Sequence, residues 1–167
     1  SPFTLPERRG PSSPSDLAEH QRVVSMPRGP GPGGHASPSA VQSRAMHVAR
    51  DFTFEAAHHL PDHPGKCRNV HGHSYRLRVV CDAPVDPTTG LAIDFAEVKR
   101  IVNEHVLDQL DHADLNAIFP IPSAELIAIW IWDRLQQAGL PMAEVHLGET
   151  ALCSVIYRGE GPGRPAS

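Results

Sequence analysis

Apolar and polar residues alternate along two stretches in the middle of the chain, and apolar residues then recur at helical spacing along two more. From Val48 to Ala56 the even positions are Val48, Phe52, Phe54 and Ala56, with Arg50 the exception. That is the pattern of a half-buried strand. From His73 to Asp82 the alternation returns and puts Tyr75, Leu77, Val79 and Cys81 on one face. Pro61, Pro64 and Gly65 break the stretch from Leu60 to Val70 into a loop, and Asp86-Pro87-Thr88-Thr89-Gly90 reads as a turn. Asp94 is predicted to cap a first helix, with Glu97 completing a capping box. Phe95, Val98, Ile101, Val102, His105, Val106 and Gln109 follow at helical spacing. Ser123 is predicted to cap a second helix, which carries Leu126, Ile127, Trp130, Ile131 and Leu135 and stops at Gly139-Leu140-Pro141. Two short strands, Glu144 to Glu149 and Leu152 to Arg158, complete a β-β-α-α-β-β order, which is an α+β fold.

Composition limits this pattern to one part of the chain. The sequence has 167 residues, a length that suits one domain at roughly 100–200 residues each. Residues 1–44 hold 8 Pro, 5 Gly and 8 Ser, including the run Pro27 to Gly34. This segment is predicted to be a disordered extension, because little apolar surface is present to offset the entropy of ordering. It lacks the apolar run of a signal peptide, and Met46 is read as the natural start of the functional chain. Residues 45–160 form the predicted domain, and residues 161–167 a flexible Gly/Pro-rich tail.

The net charge of −4 gives no basic surplus for a nucleic-acid groove, and no apolar run approaches the ~18–20 residues of a membrane helix. Three cysteines, Cys67, Cys81 and Cys153, make an odd set in a chain too large to need disulfide staples. They predict a reducing, cytoplasmic setting. Cys81 and Cys153 lie within strand patterns and read as structural thiols.

Eleven histidines are the compositional anomaly. His71-Gly72-His73 places two imidazoles on one face of a strand. His58 continues the face of Phe54 and Ala56 in the preceding strand. If the two strands form a hairpin, the three rings meet and leave one coordination position open, as in catalytic zinc sites. Gly72 is expected to let another backbone approach the opposite face. His59 and His63 are rivals for the third ligand, though His59 points to the other face and His63 sits in the Pro-flanked loop. Cys67 lies in a polar loop four residues before His71; beside a dication its thiol would ionise readily and act as a base. In Asp111-His112 a carboxylate adjoins an imidazole, a pairing suited to proton relay, with Asp114 a less favoured substitute. Glu149 stands at the end of a strand face, where a carboxylate needs a partner.

Four motifs in order carry a resemblance. They are Phe54-Glu55-Ala56-Ala57-His58-His59-Leu60-Pro61, then Cys67-x3-His71-Gly72-His73-x-Tyr75, then Leu110-Asp111-His112-x-x-Leu115-Asn116, then Gly148-Glu149-Thr150. From Met46 to Glu160 the chain resembles the 6-pyruvoyl-tetrahydropterin and 6-carboxytetrahydropterin synthase family. The resemblance implies a tunnelling fold (T-fold): a four-stranded antiparallel sheet with two helices on one face, closed into trimeric barrels that stack as a dimer of trimers. It implies Zn2+ held by His58, His71 and His73. It makes Cys67, Asp111 and His112 catalytic and Glu149 the pterin anchor. Ser123 and Glu125 resemble the helix start that reaches a neighbouring subunit's pterin pocket, although helix capping alone accounts for Ser123. No counterpart exists for residues 1–44.

The implied substrate is 7,8-dihydroneopterin triphosphate. One branch of the family stops at 6-pyruvoyl-tetrahydropterin. The other cleaves the side chain, releasing acetaldehyde and 6-carboxytetrahydropterin on the route to queuosine. The Cys-x3-His spacing resembles the bacterial carboxy branch, whereas the animal-type pyruvoyl enzymes have Cys-x5-His. A reading of a different class is a non-enzymatic zinc-stabilised module, which would give Cys67 and His112 no role. Lys66, Arg68 and Arg50 are candidates for the triphosphate.

Overall fold

The computed structural model describes residues 45–160. The expectations for the extension 1–44 and the tail 161–167 therefore lie outside the described residues. Strand β1 (Ala45–His58) and strand β2 (His71–Pro84) form a long antiparallel hairpin in which His58 faces His71 and Ala45 faces Pro84. Helix α1 follows in three continuous stretches, Phe95–Val102, Asn103–Leu107 and Asp108–Leu110, the middle one a wider π turn. Then come β3 (Ala113–Asp114), helix α2 (Ala124–Gln137), β4 (Met142–Gly148) and β5 (Ser154–Tyr157).

The sheet has five strands in the order β3-β1-β2-β4-β5. This corrects the expected four-stranded antiparallel sheet. β3 pairs parallel to β1, Ala56 with Ala113 and Ala57 with Asp114, so the sheet is mixed. A two-residue strand has no alternation to read, and only the contact with β1 makes it one.

Alternation decides which face is covered. Phe54, Tyr75, Leu77, Val79, Val145 and Leu147 are buried against Val98, Val102, Val106 and Leu110 of α1 and Ile127, Ile131 and Leu135 of α2. Burying this apolar surface is the main favourable term in holding the helices to the sheet. Arg50, the break in the β1 pattern, lies over the Phe52 ring and donates from Nη1 to the Phe95 carbonyl at 2.8 Å. Its guanidinium thus faces the Phe52 ring and also finds an acceptor at the start of α1.

Several local expectations shift. Asp94 does cap α1, accepting from the N–H of Ala96 at 2.7 Å. Glu97, however, does not close a capping box: it accepts from Arg100 at 2.6 and 2.9 Å, a helical neighbour within easy reach. The second helix buries Ile127, Ile131 and Leu135 as expected, but it turns Leu126 to solvent and adds Ala128 and Trp132 to the core. Its end is a Schellman turn: Gly139 has φ +91°, its N–H donates to the Gln136 carbonyl, and the N–H of Leu140 donates to that of Leu135. β4 stops at Gly148, so Glu149 leaves the sheet, and β5 starts only at Ser154. Thr150 Oγ1 accepts from the N–H groups of Leu152 and Cys153, bending that stretch away. Cys153 is consequently exposed rather than a structural strand thiol. Cys81 is buried as expected, and burial pushes its thiol up to about 11.

Candidate active site

The end of β1 and the start of β2 form one corner of the sheet. His58 pairs with His71 and Ala56 with His73, which turns all three imidazoles toward the covered face. The ring centroid of His58 lies 4.6 Å from that of His71 and 5.1 Å from that of His73, and His71 and His73 are 4.9 Å apart. One ring nitrogen from each comes within 4.8 Å of the others. The rivals fall outside this cluster: His63 is exposed and its Nδ1 accepts from the N–H of Gly65, and His59 lies beyond the end of β1.

Backbone carbonyls fix two tautomers. His58 Nδ1 is 2.7 Å from the Pro122 carbonyl oxygen, and His71 Nδ1 is 2.8 Å from that of Asn69. A carbonyl only accepts, so each Nδ1 carries the proton and each Nε2 keeps its lone pair. His58 is 1% exposed, and its Nε2 is the one buried side-chain polar atom among the described residues without a hydrogen-bond partner. An orphaned buried acceptor costs about 1–3 kcal/mol. A bound cation removes that cost, and three neutral imidazoles with a free fourth position suit zinc. Burial lowers the pKa of His73; the charge of Glu149 opposes the shift, and His58 and His71 reinforce it.

Glu149 borders the same corner. Its Oε1 is 3.9 Å from His58 Nε2, and its side chain is 27% exposed, so the carboxylate stays open to a ligand. Beneath the histidines Tyr75 is fully buried, stacked on Phe54 at 4.8 Å, with its hydroxyl 3.5 Å from His58 Nδ1. Burial first, and the charge of Glu149 second, push the Tyr75 phenol well above its ordinary value. Cys67 sits half-buried in a short 3-10 turn (Lys66–Arg68) and is not part of the histidine cluster. Its carbonyl accepts from the N–H of Leu60 at 2.8 Å, which closes the loop between the two ligand strands. Lys66 and Arg68 beside it are exposed, whereas Arg50 is already engaged at α1.

Asp111 and His112 stand elsewhere. They clasp Glu55, an outward-facing residue of β1: Asp111 Oδ1 accepts the N–H of Glu55 at 2.9 Å, and the N–H of His112 donates to the Glu55 carbonyl at 2.6 Å. His112 adopts φ +57°, the left-handed region, which sets its ring beside the carboxylate with Nδ1 3.0 Å from Asp111 Oδ1. The Glu55 N–H holds the Asp111 carboxyl below the usual range; burial opposes this and His112 reinforces it. The His112 side chain is 80% exposed. It opens on a cavity of about 470 Å³ that is also lined by Glu55, Ala57, Gly72, His73, Ser74 and Asp114. A Cβ at Gly72 would meet the Ala56 carbonyl oxygen at an ordinary 3.5 Å, so Gly72 leaves room for this cavity rather than permitting a close backbone approach. Asp114 caps the following turn by accepting from the N–H of Asn116, which gives it a structural task. Within one chain, then, the Asp111-His112 pair holds the β3 edge of β1 and is not part of the histidine cluster, although His73 and His112 line the same cavity.

Ser123 caps α2, with Oγ accepting from the N–H of Leu126 at 3.4 Å, and Glu125 is exposed in the first helical turn. Ser123 also joins Leu60, Pro61, His63 and Ile121 around a smaller cavity of about 230 Å³. Four residues not singled out from the sequence shape the site: the carbonyls of Pro122 and Asn69, the ring of Tyr75, and Asn116. A backbone carbonyl leaves no residue-type signal. Asn116 and Tyr75 lay within recognised motifs, but their contacts cross distant parts of the chain.

The model of the family described as 6-pyruvoyl tetrahydropterin synthase matches residues 47–160. The chain belongs to this family. A 6-carboxy-5,6,7,8-tetrahydropterin synthase of Synechocystis sp. is 39% identical over 117 residues, covering 66% of this chain and 91% of that protein. The human 6-pyruvoyl tetrahydrobiopterin synthase is 33% identical over 133 residues, 68% of this chain and 91% of that protein. Among solved structures, the 6-pyruvoyl tetrahydropterin synthase of Caenorhabditis elegans superimposes with a TM-score of 0.65 at 28% identity, covering 70% of this chain and 97% of that one. The family match spans all of His58, Cys67, His71, His73, Asp111, His112, Ser123, Glu125 and Glu149. The relatives' names divide between two products.

Proposed function

We propose that this chain is a zinc-dependent 6-carboxytetrahydropterin synthase. On this reading it converts 7,8-dihydroneopterin triphosphate to 6-carboxytetrahydropterin, with loss of triphosphate and acetaldehyde, in queuosine biosynthesis. The observation that carries it is the convergence of His58, His71 and His73 around the unpartnered Nε2 of His58. These three residues would hold the zinc. Bound there, zinc supplies Lewis-acid polarisation to the hydroxyls of the substrate side chain.

The remaining work belongs to the chain's own groups. Glu149, beside His58, accepts the pterin 2-amino and N3–H donors as a two-point anchor. Cys67 takes a proton from the side chain as a thiolate. Asp111 accepts from His112 Nδ1–H, which leaves His112 Nε2 to exchange a proton with the substrate. With Asp111-His112 at the β3 edge of β1 and outside the histidine cluster, the reading has a neighbouring chain supply one set to the other. Assembly is also favoured by the sheet edge: β3 covers only Ala56 and Ala57 of the 14-residue β1, which leaves a long strand edge for another copy. The reading is a T-fold barrel of three chains stacked in pairs, with Ser123 and Glu125 facing the adjoining pocket.

Residues 1–44 are read as dispensable for catalysis and 161–167 as a tail. No described helix is long and apolar enough to cross a membrane, and the three cysteines are unpaired, in keeping with a cytoplasmic enzyme. The Cys67-x3-His71 spacing and the Synechocystis relative favour the carboxy product. The human relative favours the second reading, elimination of triphosphate to the 6-pyruvoyl product. Incubation with dihydroneopterin triphosphate and product identification by mass separates them. Acetaldehyde with 6-carboxytetrahydropterin supports the first, a pyruvoyl product the second, and unchanged substrate overturns both.

A further inference from the structure

His58 is the last residue of β1, and the chain then enters a loop broken by Pro61 and Pro64. A strand end of this kind frays unless something holds its next backbone groups. The backbone groups of His59 are held by Asn116, far along the sequence. Its Oδ1 accepts the N–H of His59 at 2.8 Å, and its Nδ2 donates to the His59 carbonyl at 2.9 Å. The reverse amide orientation would set donor against donor and acceptor against acceptor, so the pairing admits one orientation. Both bonds are partly buried, and both engage the residue directly after His58.

The position of Asn116 explains why a side chain does this. β3 pairs with β1 through Ala113 and Asp114, and the backbone then turns away into a 3-10 turn at Leu115–Ala117. The Asn116 amide replaces the next rung of the parallel ladder and carries the pairing past Ala57 to His59. We propose that Asn116 is a positioning residue that fixes the backbone of His58, within the metal centre proposed above. Pro122 orients the His58 ring through Nδ1, and Asn116 sets the strand end that carries the ring. The same 111–116 segment thus ties Asp111-His112 at Glu55 to the metal ligand three residues further along β1.

Outer contacts that orient a metal ligand are worth about 10–100-fold in metal affinity. Two variants of the full chain, Asn116→Ala and Asn116→Asp, test the role. Asn116→Ala removes both bonds. Asn116→Asp keeps an acceptor for the His59 N–H but opposes the His59 carbonyl, and it serves if the alanine variant does not fold. Zinc affinity is measured by chelator competition, and backbone amide exchange is followed in the metal-free protein. The expected result is a roughly 10–100-fold loss of zinc affinity, with faster exchange confined to His59 and its neighbours. A variant that is less heat-stable yet binds zinc as the parent does would reduce Asn116 to a structural residue and overturn the proposal. If the parent itself takes up no zinc, the metal reading fails instead. Exchange at His59 then decides whether Asn116 holds this strand end, and unchanged exchange overturns it.

Discussion

The Nδ1 of His58 sits 2.7 Å from the carbonyl oxygen of Pro122, the residue immediately before the cap of α2. One hydrogen bond therefore ties the buried ligand of the sheet to the start of a helix and leaves the buried Nε2 as an acceptor beside His71 and His73. Replacing His71, the ligand with the matching Asn69 contact, should strip the site without unfolding the sheet, since His71 is only half-buried. Purified protein is expected to carry about one zinc per chain, the stoichiometry of a three-histidine catalytic site. His71→Ala should lose both metal and turnover. Full zinc occupancy in that variant, by elemental analysis, would show that the ligands lie elsewhere.

Cys67 lies outside the histidine cluster, which separates a base from a ligand. Cys67→Ala is expected to keep its zinc and to bind pterin through Glu149, while the rate falls by about 10²–10⁴-fold, the usual cost of losing a general base. Loss of zinc in this variant would instead make the cysteine a ligand, and near-normal turnover would move the base to another group.

A site shared between neighbouring chains, as proposed above, predicts complementation between them. Cys67→Ala and His112→Ala proteins, each inactive alone, should regain activity when dissociated, mixed and reassembled, because some sites then combine an intact Cys67 with an intact His112. A mixture no more active than its parents, despite demonstrated subunit exchange, rules out a shared site.

Asp111 is held below the ordinary carboxylate range chiefly by the Glu55 N–H. A carboxylate whose folded pKa is depressed stabilises the fold above its unfolded pKa, about 3.9, and that contribution disappears as pH falls through the folded value. Asp111→Asn retains an oxygen to accept from Glu55 but does not titrate. Its unfolding midpoint should therefore decline less than that of the parent on acidification below about pH 4. An identical acid limb in the two proteins would show that the Glu55 contact is absent in solution.

Much of this molecule is legible in the chain itself, because the relevant signals are periodic and local. Alternation placed β1 and β2, and the same alternation put His58, His71 and His73 on one face, since side chains two apart on a strand must point the same way. Helical spacing placed α1 and α2, and Asp94, Ser123 and Gly139 marked ends whose orphaned backbone groups need partners. The tertiary structure decided what depends on contacts between distant residues. β3 is a strand only because β1 offers a free edge to two residues. Glu97 turned from the cap to Arg100, and Cys153 was bent out of its strand by Thr150. The tautomers of His58 and His71 depend on the carbonyls of Pro122 and Asn69, which every residue type possesses and no sequence pattern announces. The separation of Asp111-His112 from the metal corner likewise followed from the clasp on Glu55, 56 residues away. Periodicity states which way a side chain points from its own strand or helix; only the packed chain states what it meets there.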